Sequence, residues 1–159
     1  MIKLENVKKE EEGLLHNLMQ FYIYEFSRYK PSITLEPEGT YLPFDLNKYW
    51  NDPAFQAFFI TYETELAGFA LVENEPAVKT IQEFFIMAKY SGRGFGKEAA
   101  AMLFNLYPGH WTLSQIEANY PAQAFWRKLI HRLTNGKMVE RYDEDRNSIQ
   151  EFHTDSFVK

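Results

Sequence analysis

At 159 residues, 45% hydrophobic and 25% charged, the chain has the make-up of one soluble globular domain, 1–159, with room for a useful core. It contains no cysteine, which excludes disulfides, thiolate metal sites and a cysteine nucleophile. A net charge of −5 weighs against nucleic acid as a partner and allows a cationic small substrate.

In chain order, residues 2–7 alternate apolar and polar and predict a strand. The charged start, MIKLENVKKEEE, does not read as a secretory signal, so a cytoplasmic location is expected. Residues 10–29 predict a long helix. Leu14, Leu15, Leu18, Phe21, Tyr22 and Phe26 recur at helical spacing, and Glu10, Glu11 and Glu12 suit its positive end. Residues 31–43 hold three prolines and a Gly-Thr pair and read as a loop. Asp45 is expected to cap a short helix through Trp50. Residues 55–62 and 66–73 read as a hairpin joined by Glu63, Thr64 and Glu65, and 80–87 as a further strand.

Residues 94–106 predict a helix of strong propensity, ended by Pro108-Gly109. Residues 111–118 read as a strand, and Pro121 opens a helix to about His131. Residues 138–142 and 148–154 form a closing hairpin around Asp143, Glu144 and Asp145. Strands fall in groups with helices between them. This order predicts an α/β fold, with a mixed sheet flanked by helices. No apolar run approaches the roughly 20 residues that span a bilayer, so no membrane partner is expected.

The segment Ile86–Lys97, IMAKYSGRGFGK, carries the strongest functional signal. A strand runs into a turn with glycines at 92, 94 and 96, and a helix follows at once. A turn so poor in side chains lets backbone N–H groups converge at the positive end of that helix, where phosphate oxygens bind. The spacing does not fit a P-loop, because Glu98 follows Gly96-Lys97 and Ser91 stands where the first glycine belongs. Nor does it fit a dinucleotide fingerprint, whose third glycine falls on Lys97.

The turn resembles the acyl-CoA pyrophosphate loop of the GNAT acetyltransferases, Arg/Gln-x-x-Gly-x-Gly/Ala. Gly94 and Gly96 match, and Ser91 stands where Arg or Gln is usual. The preceding EFFIMAKY resembles the family's fourth strand, with closest similarity to the polyamine acetyltransferases. Downstream, Asn119, Ala122 and Trp126 fit the family pattern Asn-x-x-Ala-x-x-x-Tyr, with Trp in place of Tyr. The resemblance is good over 54–129.

The resemblance implies a GNAT fold with a central, mostly antiparallel sheet. It also implies transfer of an acetyl group from acetyl-CoA to a primary amine of a small molecule or a protein. The alternative within the same fold is a non-catalytic acyl-CoA-binding sensor or regulator. Acetyl-CoA contacts are implied for Phe85, Ile86 and Met87, then for Ser91, Gly92, Arg93, Gly94, Phe95, Gly96 and Lys97. Asn119, Ala122, Phe125 and Trp126 complete the implied set. Tyr24 and Tyr29 are candidates for the acceptor side, and a homodimer is compatible with the family.

Direct attack of a neutral amine needs no covalent intermediate, but something must remove the amine proton. Glu83 and Gln82 are the nearest polar strand positions, and alternation sends them to opposite faces unless the strand is bulged. The polyamine acetyltransferases commonly have two acids here. Gln82 has lost one charge, so a small monoamine or amino-sugar-like acceptor is expected. Trp126 has only an indole N–H and cannot serve as the general acid that the family's Tyr supplies.

His16, His110, His131 and His153 show no metal-ligand spacing, and no metal is expected. No elbow motif surrounds Ser114, which makes a Ser114–His131 nucleophilic pair a poor reading. Arg127 and Lys128 read as a solvated helix face, the runner-up being a contact to the cofactor's ribose phosphate.

Overall fold

The sheet takes its layout from two strands that are apolar on both faces, AFFI and AGFALV, which read as near-continuous runs rather than alternating ones. In the computed structural model, which describes residues 1–159, these lie in β2 (Phe55–Tyr62) and β3 (Glu65–Asn74). The other strands are β1 (Ile2–Asn6), β4 (Lys79–Ile86), β5 (His110–Gln115), β6 (Val139–Tyr142) and β7 (Ser148–His153). They form one seven-stranded sheet in the order β1-β2-β3-β4-β5-β7-β6. Every neighbouring pair is antiparallel except β4 and β5.

Helices cover both faces. On one face, Leu15, Leu18 and Met19 of α1 (Glu12–Ser27) and Tyr49 of α2 (Asn47–Asn51) pack on Ala57, Phe59, Phe69 and Leu71. On the other, Leu103 and Phe104 of α3 (Phe95–Leu106) join Leu129 and Ile130 of α4 (Tyr120–Thr134) over Phe58, Ala70, Val72 and Trp111. Adjacent residues such as Phe58 and Phe59 thus serve opposite cores, as the two-residue strand period requires. The mixed, mostly antiparallel sheet expected from the sequence is the observed one.

Two irregularities position the site. The β3–β4 register slips between Leu71 and Val72, which pair with Glu83 and Ile81, so Gln82 is the extra residue of a β-bulge. Just past it, Gly68 faces β4 so closely that a Cβ would stand 2.0 Å from the Phe85 carbonyl oxygen. The second irregularity is that β4 and β5 pair only at Lys79 and Trp111. From there β5 follows β7 along its whole length, His110 to Gln115, while the bulge adds twist to β4. The two parallel strands therefore part toward their C-terminal ends and leave a gap in the sheet.

Several expected boundaries move for local reasons. The first helix begins as a 3-10 turn at Lys9–Glu11 and ends at Ser27 rather than Tyr29. Asp45 does not cap α2. Its carboxylate accepts from the Asn47 N–H at 3.0 Å, and Leu46 occupies the cap position. The strand expected over 111–118 stops at Gln115. Gln123 donates to the Ile116 and Glu117 carbonyls at 3.0 Å each and holds that segment as a turn. Helix α4 runs on past His131 to Thr134, where left-handed Asn135 and Gly136 close it.

Candidate active site

The gap between β4 and β5 is a cavity of about 320 Å³, floored by Ile81–Phe84 and Leu113–Ile116 and closed by Tyr22, Phe26, Asn119, Ala122, Trp126 and Asn147. Its one carboxylate is Glu83. The bulge brings both Gln82 and Glu83 to this cavity, although a regular strand would separate them. Gln82 donates to Glu73 at 2.7 Å. Glu83 is half-buried and accepts a hydrogen bond from the Tyr22 hydroxyl. Burial raises its pKa from 4.5 to about 7, while the Tyr22 hydrogen bond and the nearby Lys48 and Lys30 charges pull the other way. The Tyr22 hydroxyl is pushed well above its ordinary range by burial and by Glu83, so it stays a donor. Its ring is fixed by Phe26, Phe44, Phe69 and Phe85.

A second cavity of about 290 Å³ lies beside the first. Phe84, Ile86, Phe95, Phe125 and Trp126 give it apolar walls, and Ser91, Gly92 and Gly96 form its rim. Here the glycine turn meets α3. Gly92 and Gly94 are left-handed at φ +76° and +80°, and a Cβ on either would meet nothing within 4 Å. Neither Gly92, Arg93 nor Gly94 donates its backbone N–H within the chain. The first backbone donation at this end of α3 comes from Glu98, to the Gly94 carbonyl at 3.1 Å. A run of unpaired N–H groups at the positive end of a three-turn helix is ready to donate to phosphate oxygens.

The two cavities share Phe84, Ala122 and Trp126. Asn119 caps α4, its side chain accepting from the Ala122 N–H at 3.2 Å, and this fixes the first turn that carries the shared wall. Trp126 is 7% exposed and packs edge-on against Phe84 and Phe125, at centroid distances of 5.1 and 4.8 Å.

The structure thus brings Glu83, Gln82, Asn119, Ala122 and Trp126 to one cavity and Ile86, Ser91, Gly92, Phe95, Gly96, Ala122, Phe125 and Trp126 to the other. Gly94 and Lys97 stand at the α3 N-terminus, Lys97 exposed. Three of the residues implied as cofactor contacts have side chains that lie elsewhere. The Phe85 side chain packs in the α1 core beside Tyr22 and Phe69, because it shares a strand face with Glu83. Met87 packs toward both the α1 core and the core beneath α3, and lines neither cavity. The Arg93 guanidinium lies 4.8 Å over the Tyr62 and Phe95 rings rather than along the turn.

On the acceptor side, Tyr24 is 62% exposed on the outer face of α1 and lines neither cavity. Tyr29 borders a separate depression with Lys30, Glu117 and Tyr120. Tyr22 and Phe26 take the inward place instead, and the spacing Leu15, Leu18, Met19, Tyr22, Phe26 held the signal for it. Gln115 and Asn147 carried no local signal, since they reach the cavity only through sheet topology. Ser114 lines the cavity without His131, which sits near Gly136 at the far end of α4. Arg127 is held by Glu140, with both contacts at 2.9 Å.

Residues 17–130 match the model of the acetyltransferase (GNAT) family. Among solved structures, an acetyltransferase from Thermus thermophilus is similar at 19% identity and a TM-score of 0.72, covering 96% of this chain and 97% of that one. The ribosomal-protein-S18-alanine N-acetyltransferase of Escherichia coli is similar at 14% identity and a TM-score of 0.64, with 97% and 94% covered. An acetyltransferase from Bacillus anthracis, in complex with acetyl coenzyme A, is similar at 14% identity and a TM-score of 0.58, with 96% and 97% covered. No curated protein matches the chain by sequence.

Proposed function

The chain belongs to the acetyltransferase (GNAT) family, and from that premise we propose that it transfers an acetyl group from acetyl-CoA to the primary amine of a small molecule. The observation that carries this reading is the pair of joined cavities. One ends on the unpaired N–H groups of the glycine turn, and the other ends on the Glu83 carboxyl. The donor set fits the cofactor. The N–H groups of Gly92–Gly94 and of the first turn of α3 would hold the pyrophosphate, and Ile86, Phe95, Phe125 and Trp126 would wall the pantetheine arm. When bound, acetyl-CoA supplies an activated thioester carbonyl.

The residues of this chain then do three things. Glu83, with a pKa of about 7, takes the proton that an ammonium must lose before its nitrogen can attack. Beyond Lys79 the edge of β4 that faces β5 is unpaired, and its backbone N–H groups would be free to donate to the carbonyl oxygen of a bound thioester. The cavity walls hold amine and carbonyl in contact, where positioning supplies much of the rate.

The cavity also bears on the acceptor. It is small, holds one carboxylate, and has Lys30 and Lys48 close enough to act on that carboxylate. This favours a single ammonium over a polycation. Gln82, Ser114, Gln115, Asn119 and Asn147 offer amide and hydroxyl groups to a polyhydroxylated body, as in an amino sugar. The test is acetyl-CoA turnover against a panel of monoamines, amino sugars and polyamines. Turnover of the monoamine or amino-sugar group first is expected. Tight acetyl-CoA binding with no turnover of any amine would favour a non-catalytic acyl-CoA-binding domain instead.

A further inference from the structure

The face of the sheet beneath α4 is apolar at Trp111, Leu113 and Phe152, yet a line of polar side chains crosses it. Gln115 lies opposite Ser148, and Gln150 lies opposite Leu113 on one side and Glu140 on the other, so all four polar residues share this face. Gln115 and Gln150 exchange two hydrogen bonds, each amide donating to the other's carbonyl at 2.8 Å. Gln150 Nε2 also donates to Ser148 Oγ at 3.0 Å and to Glu140 Oε2 at 3.2 Å. Arg127 closes the line from α4, its Nε 2.9 Å from both Glu140 oxygens. Ser148 and Gln150 are fully buried, and Gln115 is 7% exposed.

Buried amides cost free energy unless every polar atom finds a partner, and leucines would fill the same space with no such demand. The line runs from the surface at Arg127 to the first cavity, where Gln115 is the one member that forms part of the wall. The other amides of that cavity are each tied locally at one atom. Gln82 donates to Glu73, Asn119 caps α4, and Asn147 donates to Asp143 at 2.9 Å. Gln115 is held at both its nitrogen and its oxygen. Its direction is fixed as well. A carboxylate only accepts, so the atom of Gln150 against Glu140 is its nitrogen, and this sets which end of the Gln115 amide is which. One amide hydrogen and one carbonyl lone pair of Gln115 are left for the cavity.

We infer that Gln115 reads a hydroxyl group of the acceptor, and that Gln150 is the residue that positions it. A hydroxyl both donates and accepts, so it satisfies the two free valences at once. A second ammonium only donates, a carboxylate only accepts, and an alkyl group does neither. Each would leave part of a buried amide unpaired, which weakens binding. The acceptor class is thus an amino alcohol, of which an amino sugar is the polyhydroxylated case. This rests on the reading above, that an amine is acetylated in the first cavity.

The experiment measures acetylation of glucosamine and of cyclohexylamine, a six-membered ring amine without hydroxyls, at saturating acetyl-CoA. Each rate is expressed per concentration of neutral amine, so that the difference in basicity drops out. The wild-type protein is expected to favour glucosamine by about tenfold or more in kcat/KM. Gln115→Met, which keeps the length and loses both polar atoms, should remove most of that preference. Gln150→Met should do the same from outside the cavity, and in both variants the loss should fall on the KM for glucosamine more than on kcat. A protein that was merely less stable would lose activity toward both amines alike and keep their ratio. Equal kcat/KM for the two amines in the wild type overturns the assignment with no variant needed, as does turnover confined to amines without hydroxyls. A preference that survives in folded Gln115→Met overturns it too. A preference lost in Gln115→Met but kept in folded Gln150→Met overturns the positioning role. Binding of acetyl-CoA with no acetylation of any amine overturns the acetyl-transfer reading instead.

Discussion

Glu83 and Tyr22 share one cavity wall, one at the middle of a strand and the other on the inward face of α1. Burial raises the carboxyl to about 7, and the Tyr22 hydrogen bond limits that rise. Activity should therefore increase as pH passes through 7, when Glu83 loses its proton and can accept one. Glu83→Gln should lower kcat/KM by roughly 10²–10⁴ and abolish that rise in a pH–rate profile. Tyr22→Phe removes a bond that favours the ionised form, so the rise should move to higher pH. A profile unchanged by both substitutions would assign the proton to a water chain. The position of Glu83 was legible three residues before Ile86 in the sequence. Its partnership with Tyr22 was not, because side chains 61 residues apart meet only through the sheet. The inward spacing of Tyr22 and Phe26 is present in the sequence, but helical spacing alone does not tell a cavity wall from a core face.

At the scale of elements, the glycine turn and α3 were the most readable part of the chain. Glycines at alternate positions before an alanine-rich run have a local cause, the left-handed φ of Gly92 and Gly94. Gly96 is there for a different reason. A Cβ would come within 3.2 Å of the Phe125 ring, so this glycine sets how closely α3 and α4 approach. Ser91 donates its hydroxyl to the Ala88 carbonyl at 2.8 Å and closes the 3-10 turn before the loop. An arginine there gives up that local bond of about 1 kcal/mol and adds an exposed charge beside the bound phosphates. Ser91→Arg should tighten acetyl-CoA binding by up to about tenfold in a titration. Equal or weaker binding would mean that the backbone donors already satisfy the pyrophosphate. The gap between β4 and β5 could not be read locally. It depends on a single-residue bulge at Gln82 and on β5 taking β7 as its partner, and neither leaves a mark in a short window of sequence.

For the whole molecule, the site has a cost that stability measurements can read. Glu83 has a folded pKa of about 7 against an ordinary value of 4.5, a rise caused by burial. The folded state thus binds the proton more tightly than the unfolded state. The resulting stabilisation is fully present below pH 4.5 and is lost as pH rises through 7, amounting to at most about 3 kcal/mol. Glu83→Gln should flatten this part of the stability–pH curve in denaturant unfolding, and the variant should be the relatively more stable protein above pH 7. The account as a whole depends on acetyl-CoA lying across the parted strands with its pyrophosphate on the glycine turn. Titration of acetyl-CoA into wild-type protein and into Gly94→Asp, with thermal unfolding to establish that both are folded, tests this most directly. The aspartate side chain would enter the open space before the N–H groups and set a negative charge against phosphate. Saturable binding to the wild type and none to the folded variant is the predicted result; no binding to the wild type, or equal affinity for both proteins, would contradict it.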